Sequence, residues 1–286
     1  MTLSIRPRAL LAAAALALVA AMPAAAVPVD GVVLAPHRAV YDLKLLKSSG
    51  SRGLASVRGR ILYDFSGNAC DGYDLKFRQL SELDSGEGKT VLSDLNSTTW
   101  EDAEAKAFRF SSQNRMNDRA ADAVNGEAER RAKAVSINLT KPKHKALKMP
   151  GNAVFPTEHM RRIIAAARAG QTMLELPVYD GSETGEKLYN TFTLIGKAIG
   201  PGEKPPTDAA AKVPALAALT RWPVTISYFD QRADSEIRKG EQTPAYVIGF
   251  ELYENGISRK LVLDYSDFTI EGDMTSLEMK KDKPCK

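Results

Sequence analysis

Cysteine and histidine are scarce in this chain of 286 residues, which contains two cysteines and three histidines. A structural zinc site needs about four such ligands at matched spacing. His37, His144 and His159 are scattered along the chain, and none lies at zinc-finger distance from a cysteine. The sequence therefore predicts no metal site and no cofactor.

Catalytic signatures are also absent from the sequence. The stretch Gly86-Glu87-Gly88-Lys89-Thr90 ends like a phosphate-binding loop, but Leu83 stands where that motif requires glycine. The chain contains no G-x-S-x-G nucleophile elbow, no H-E-x-x-H pair and no glycine-rich dinucleotide fingerprint. We therefore expect no catalytic residues and a protein that is not an enzyme.

A strong excess of one charge is missing as well. Lysine and arginine total 39 and aspartate and glutamate total 35, which leaves a formal net charge of +4. This balance is too small to indicate a nucleic-acid partner, and none is expected outside the cytoplasm. We therefore expect no nucleic-acid partner.

Long apolar runs are confined to the N-terminus. Residues 10–21 form an unbroken apolar run, shorter than the roughly 20 residues that a membrane-spanning helix needs. Two arginines precede this run, and three consecutive alanines follow it at the spacing of a signal peptidase site. We expect residues 1–26 to be a Sec-type signal peptide cleaved after Ala26, and residues 27–286 to be one β-rich periplasmic domain. A retained N-terminal anchor is the alternative, but we expect no transmembrane anchor in the mature chain.

The two cysteines are predicted to form a disulfide. Cys70 and Cys285 both follow the signal peptide, and thiols pair by default in an oxidising compartment. Two free thiols, or a metal site that would need further ligands, are the alternatives. A bond between these residues would tie the C-terminus to the first third of the chain and would close the sheet on itself, which argues for a single domain.

Alternation of apolar and polar residues predicts about a dozen strands. Ala39, Tyr41, Leu43 and Leu45 alternate with more polar neighbours, which is the period of two of a half-buried strand. Asn255-Gly256, between two such runs, is a strong hairpin signal. Most connections are too short for the crossovers that parallel strands require, so we predict a mainly β fold, with one antiparallel barrel-like or β-spiral domain.

One amphipathic helix is predicted over residues 157–169. Four apolar residues lie on one stripe at the spacing i, i+3, i+4 and i+7: Met160, Ile163, Ile164 and Ala167. Thr157 is expected to cap the first turn, and Gly170 to follow the last one. Residues 200–221, rich in proline and alanine, are predicted to form a long surface loop rather than a domain linker.

Four residues are candidates for contacts with a ligand or a partner. His37 and Arg38 precede the first strand, and His37 would be a general base if Asp42 oriented it; a structural anchor is the favoured interpretation, because no nucleophile is in view. Trp100 and Trp222, together with the nine tyrosines, could line a hydrophobic or sugar-binding groove. Aromatic residues on strands more often belong to a β core.

Carboxylates give a further alternative. Asp180, or Asp264 with Asp267, could supply the paired acids of a glycosidase. The same residues are also what turns require, because an aspartate side chain accepts hydrogen bonds from nearby backbone N–H groups.

The order of several short motifs resembles the EipB-type cell envelope integrity proteins of alphaproteobacteria, long catalogued as a domain of unknown function. The motifs are Leu34-Ala35-Pro36-His37-Arg38-Ala39-Val40-Tyr41-Asp42-Leu43, Cys70-Asp71-Gly72-Tyr73, Trp100-Glu101, Phe155-Pro156-Thr157-Glu158-His159, Val178-Tyr179-Asp180-Gly181-Ser182, Trp222-Pro223-Val224, Tyr228-Phe229 and Asp264-Tyr265-Ser266-Asp267-Phe268. Cys285 lies where the second cysteine of the family belongs.

This resemblance implies a periplasmic β-spiral monomer with ends linked by a disulfide, needed for envelope integrity and without known enzymatic activity. The main hypothesis is therefore a non-enzymatic periplasmic protein that binds an envelope component or a partner protein. The alternatives are a carrier that holds a lipid or a lipoprotein acyl chain in a curved β-sheet cleft, and a hydrolase of glycan or peptidoglycan.

Overall fold

The computed structural model describes residues 31–49, 53–86, 88–117, 119–231 and 243–281. The predicted signal peptide and Cys285 lie outside these ranges, so cleavage after Ala26 and the Cys70–Cys285 disulfide stay predictions.

Fourteen strands make up one sheet. They are β1 (His37–Ser48), β2 (Ser56–Asn68), β3 (Gly72–Asp84), β4 (Thr90–Glu101), β5 (Ala107–Met116), β6 (Arg119–Arg131), β7 (Ala134–Lys141), β8 (Lys145–Pro150), β9 (Met173–Val178), β10 (Tyr189–Ile195), β11 (Arg221–Asp230), β12 (Tyr246–Tyr253), β13 (Ser258–Asp264) and β14 (Phe268–Met279). Within the described ranges, the helices are α1 (Pro156–Arg168) and the single turn α2 (Pro214–Ala217), with a 3₁₀ turn at Ala209–Ala211.

Strand β1 lies near the middle of the sheet and joins two meanders. Strands β2 to β8 extend from one side of β1 in chain order, and β14 to β9 extend from the other side in reverse order. Neighbouring strands pair antiparallel, as the short connections predict; for example, Tyr41 lies opposite Ile61 on β2 and opposite Met274 on β14.

The sheet is open, so the expectation that it closes on itself was wrong. The last strand does pair with the first, but β8 and β9 remain as the two edges of the described sheet. One isolated parallel bridge between Val154 and Val178 connects the segment after β8 with the end of β9. Helix α1 lies between β8 and β9 in the chain, and these two strands do not form a ladder with each other.

Alternation places apolar side chains of β1 on the inner face and charged ones on the outer face. Ala39, Tyr41 and Leu43 are buried. Asp42, between them, points outward and forms an ion pair with Arg60 at 2.7 Å. The inner side chains of the sheet form three packed clusters, of which one surrounds α1 and another lies between β5 to β8 and Tyr179.

Helix α1 is the amphipathic helix that the sequence predicts. Ile163 and Ile164 are completely buried against the inner face of the sheet, where Trp222 and Leu252 also pack. At its C-terminal end, Gly170 has φ +74° and the N–H of Gln171 bonds to the carbonyl of Ala166 at 2.9 Å, so the predicted glycine ending is confirmed.

The prediction that Thr157 caps the start of α1 was wrong. The N-cap is Phe155, which has no side-chain acceptor, and the cap comes instead from Glu101 at the end of β4. The two carboxylate oxygens of Glu101 accept the backbone N–H groups of Thr157 and Glu158, both at 2.7 Å. A strand residue replaces the local cap because the end of β4 lies directly beside the first turn of α1.

Glu158 completes this arrangement, which we call the helix-start network (Glu101, Arg130, Thr157, Glu158 and Arg162). Its two carboxylate oxygens form ion pairs with Arg130 at 2.5 Å and with Arg162 at 2.6 Å, and Glu158 itself is buried. Burial raises the pKa of Glu101 to about 8, against the two backbone N–H donors that favour its carboxylate form. The network fixes the position of α1 against β4 and β6.

The segment of residues 200–221 is more than the surface loop that was predicted. Most of its side chains are exposed, but Ala211 and Leu216 are buried against Tyr41, Tyr253 and other residues of the third cluster. Proline and alanine prevent long regular structure here, yet two short turns place these small apolar side chains over the core.

Candidate functional site

A cavity of about 300 Å³ lies between α1 and the inner face of the sheet. Its walls are mainly apolar and come from the segment before β1 and from β2, β3, β11 and β12: Leu34, Phe65, Leu75, Ile226, Ile248 and Phe250. Its volume is at the lower end of the range of small-molecule sites, which is about 300 to 1,000 Å³.

A cleft of about 780 Å³ continues this cavity. The two spaces share four lining residues, Leu75, Asp180, Tyr246 and Ile248, so they meet along this seam. We call the joined space the central cavity. It provides an apolar inner part and a more polar outer part.

Three tyrosine hydroxyls of the inner part have no partner. Tyr63, Tyr228 and Tyr246 line the cavity, and none of their hydroxyl groups makes a hydrogen bond with any residue that the structure describes. The rings of Tyr228 and Tyr246 stack with centroids 4.5 Å apart. Burial raises the pKa of Tyr63 to about 12 and that of Tyr228 and Tyr246 further, so these groups are neutral donors available to a bound molecule.

Two buried histidines face the same cavity. The Nδ1 atom of His37 lies 2.7 Å from the carbonyl oxygen of Ala35, so this nitrogen carries the proton, and the ring stacks on Tyr63 at 5.5 Å. The Nε2 atom of His159, in the first turn of α1, lies 3.4 Å from the hydroxyl of Thr191. Burial lowers the pKa of His37, and burial together with the charge of Arg162 lowers the pKa of His159 to about 4. Both rings are therefore neutral near pH 7.

Asp180 lies at the seam between the two parts of the cavity. Its carboxylate accepts the backbone N–H of Ser182 at 2.9 Å, and burial raises its pKa above the ordinary value. Gly181, with φ +67°, holds this turn against Phe110, since a Cβ atom there would lie 2.5 Å from the phenyl ring. The local sequence thus forms a turn, and the turn presents the carboxyl group to the cavity.

Of the four predicted contact residues, the structure places His37 at the cavity and the others elsewhere. Arg38 points outward, where it pairs with Asp64 at 2.7 Å and with Glu278 at 3.5 Å. Trp100 lies on the outer face of β4 beneath the guanidinium group of Arg109, 4.2 Å from the ring centroid. Trp222 is buried in the cluster around α1.

The structure also separates His37 from the carboxylate that would have oriented it. His37 faces inward, whereas Asp42 points outward and pairs with Arg60. Their odd and even positions on one strand require this separation. The anchoring interpretation therefore agrees with the contacts of His37.

The sequence did not single out the tyrosines of the cavity. Tyr63, Tyr228 and Tyr246 were interpreted with the other tyrosines as β-core aromatics in preference to a groove lining, and Asp180 was considered both as a glycosidase acid and as a turn residue. The sequence contained one indication of this site, namely that these residues occupy inward positions on their strands. That indication becomes specific only when the strand pairing is known, because it places Tyr228 directly opposite Tyr246.

Comparisons with known proteins agree with this fold. The family model described as EipB-like matches residues 28–281. The chain is 36% identical over 255 residues to the cell envelope integrity protein EipB of Brucella abortus (strain 2308), covering 89% of this chain and 88% of that protein. It also matches the crystal structure of a beta-barrel-like protein of a domain of unknown function from Brucella abortus, with a TM-score of 0.79, 34% identity, and coverage of 88% of this chain and 100% of that chain.

Proposed function

The chain belongs to the EipB-like family, and we propose that it contributes to cell envelope integrity by binding an envelope component in its central cavity. The relative from Brucella abortus is named for this role. The binding is non-enzymatic and takes place in the periplasm after export, in line with the signal peptide that the sequence predicts.

The observation that carries this proposal is the chemistry of the cavity. Apolar side chains form the inner walls, and the three tyrosine hydroxyls are left without partners among the described residues. These hydroxyl oxygens are not among the fully buried polar atoms that lack a partner; they open onto the cavity, where they can donate to a molecule that enters it. A ligand with an apolar body and hydrogen-bond acceptors would satisfy these groups.

A carrier of lipid or of a lipoprotein acyl chain is the form of binding that the apolar inner part favours. None of the described helices is long and apolar enough to cross a membrane. A carrier would move such a ligand between envelope sites, whereas a scaffold would retain it.

A hydrolase is the second candidate, because Asp180 and Asp264 line the same cleft. Each carboxylate, however, accepts the backbone N–H two residues later, at 2.9 Å, which is the turn interaction expected of aspartate. We expect no soluble fragments when the protein is incubated with purified peptidoglycan. Release of fragments that Asp180→Asn abolishes would support the hydrolase instead.

The binding proposal is tested by filling the cavity. Ile226 is buried and lines the inner part, so Ile226→Trp should remove its volume. We expect native mass spectrometry of wild-type protein from the periplasm to show a retained apolar molecule, and the variant to lose at least about nine tenths of it, equivalent to a tenfold weaker affinity.

Leu194→Trp is the matched control. Leu194 lies on β10, next to the edge strand β9, is 47% exposed and does not line the cavity. It should retain the molecule. Thermal unfolding establishes that both variants are folded, and Phe250→Trp replaces Ile226→Trp if the latter is not. Equal retention by wild type and a folded cavity variant, or no retained molecule in wild type, would overturn the proposal.

A further inference from the structure

The charge of the central cavity has one sign. Four carboxylate residues line it, namely Asp122, Asp180, Glu183 and Asp264. Among its described lining residues there is no lysine and no arginine. The chain as a whole carries more basic than acidic residues, 39 against 35, so composition does not account for this bias.

Of these four residues, Asp180 is the one that also lines the apolar inner part of the cavity. Glu183 is already compensated, because it pairs with Lys187 at 2.6 Å and accepts the hydroxyl of Tyr189 at 2.6 Å. Asp180 lines both parts of the cavity, and no described lysine or arginine forms an ion pair with it. Its hydrogen bonds come from its own turn, including the backbone N–H and the side chain of Ser182, and none comes from a lysine or arginine among the described residues.

The charge of Asp180 acts within the cavity rather than in bulk water. Burial comes first and this carboxylate second among the causes that raise the pKa of the nearby hydroxyls of Tyr228 and Tyr246. A second anion at the seam would be repelled by Asp180 in a poorly screened environment, whereas a cation would be attracted. The tyrosine rings at the seam add a surface that also favours cations.

A metal ion does not fit this arrangement. In the ranges that the structure describes, no group of three or more histidine, cysteine, aspartate or glutamate side chains is placed to hold one. The apolar walls beside Asp180 match an organic tail instead.

We infer that the occupant of the central cavity is an amphiphile with a positively charged nitrogen, which lies beside Asp180 while its apolar tail lies beneath α1. This inference rests on the proposed function, since it specifies the ligand of the same cavity. It distinguishes ammonium-headed molecules from those whose head is a carboxylate or a phosphate.

The test compares single-chain amphiphiles that share a decyl tail. Decyltrimethylammonium, decyl glucoside and decanoate are titrated, below micelle formation, into full-length mature protein stripped of bound lipid, and affinities are measured by calorimetry. We expect the ammonium compound to bind at least about tenfold more tightly than decanoate, with the glucoside between them. Lysophosphatidylethanolamine is a further arm, which distinguishes a zwitterionic phospholipid from a simple amine as the source of the nitrogen.

Asp180→Asn removes the charge and keeps an oxygen for the N–H of Ser182. It should reduce the preference for ammonium over decanoate to less than about threefold, which corresponds to removal of most of the charge interaction. Asp74→Asn is the control, because Asp74 is exposed on the outer face beside Trp100 and should leave the preference unchanged.

The outcomes separate this inference from the proposed function. If the three decyl compounds bind with similar affinity, the cavity binds amphiphiles but the preference for a cation is wrong. Tighter binding of decanoate overturns it as well. If no compound binds, the proposed function fails and this inference with it. If Asp180→Asn does not fold, the ranking by the wild-type protein decides the question alone.

Discussion

The carboxylates of the helix-start network and the tyrosine hydroxyls of the central cavity are partnered in opposite ways, although the network also contains two buried nitrogens without a hydrogen bond to a described residue, Nε of Arg130 and Nε of Arg162. At the start of α1, every carboxylate oxygen of Glu101 and Glu158 has a hydrogen-bond or ion-pair partner. The central cavity leaves the hydroxyls of Tyr228 and Tyr246 without a partner among the described residues. Both regions include residues of the first turns of α1, so the difference arises within one neighbourhood of the fold.

This difference assigns a structural role to the helix-start network and a binding role to the central cavity. Paired polar groups rigidify the part of the fold that positions α1, and removal of one partner leaves the other unsatisfied. Hydroxyls that open onto a cavity are available to a ligand, and the unliganded fold depends little on them. We therefore expect substitutions in the network to change folding strongly, and substitutions in the cavity to change binding with little effect on folding.

Glu101→Ala should have the largest effect, because it leaves the buried backbone N–H groups of Thr157 and Glu158 without acceptors. At about 1 to 3 kcal/mol for each of the two groups, we expect a loss of about 2 to 6 kcal/mol in the free energy of unfolding, measured in urea. Glu101→Gln, which keeps one acceptor, should lose less. Glu127→Ala, at an exposed position of β6, should stay within about 0.5 kcal/mol of wild type. Equal stability of the two alanine variants would contradict the role of the network.

Acid should remove the stability that the neutral ring of His159 contributes; this residue follows Glu158 of the network and lines the central cavity. Its pKa is about 4 in the folded protein against 6.5 for an ordinary histidine, so below pH 6.5 the unfolded chain binds a proton that the folded one does not. The stability that the neutral ring contributes is present above pH 6.5 and is lost as pH falls through about 4. Over that interval the loss is about 3 kcal/mol.

The measurement is the free energy of unfolding from pH 7 to pH 4. His159→Gln should remove this loss and leave the opposite dependence of Glu101, whose raised pKa makes the folded chain bind a proton, and gain stability, as pH falls from about 8. His144→Gln, in an exposed loop, should leave the wild-type dependence unchanged. A pH dependence that is the same in all three proteins would show that the histidine is accessible to water or is not buried as described.

The smallest expected change in stability comes from removing single tyrosine hydroxyls, one with a partner and one without. The hydroxyl of Tyr41 donates to the carbonyl of Ser258 at 2.7 Å, so Tyr41→Phe should cost about 1 kcal/mol. The hydroxyl of Tyr246 has no described partner, so Tyr246→Phe should leave stability unchanged within about 0.5 kcal/mol and weaken ligand binding instead. Equal thermal stability losses in the two variants would mean that the Tyr246 hydroxyl is bonded within the protein.

Strand prediction succeeded where apolar residues alternate and failed where the inner residues are small. Strand β6 was missed because its inner side chains are Val124, Gly126 and Ala128, which give little apolar signal. The structure requires this small size, since a Cβ atom at Gly126 would lie 2.8 Å from the ring of Phe110. Strand β6 is held by pairing with β5 and β7, and large side chains of those strands, Phe110 and Leu139, cover its small residues.

The helix shows the same division. The stripe that includes Ile163 and Ile164 predicts α1 within one residue at each end, because helix amphipathicity is a local property. Its cap was missed because Glu101 lies far away in the sequence. No local pattern at Thr157 indicates that a carboxylate from β4 binds the first turn.

Local periodicity was sufficient to establish an antiparallel β fold with one helix, because strand alternation and helical stripes arise between residues close in the sequence. The open edges at β8 and β9, the helix-start network and the cavity were decided by the tertiary structure. Each depends on residues that are distant in the chain: Glu101 beside Glu158, Asp180 beside Tyr246, and His37 on the face opposite Asp42. Alternation shows that a side chain points inward, but the pairing of fourteen strands determines which inward side chains meet and whether they satisfy one another.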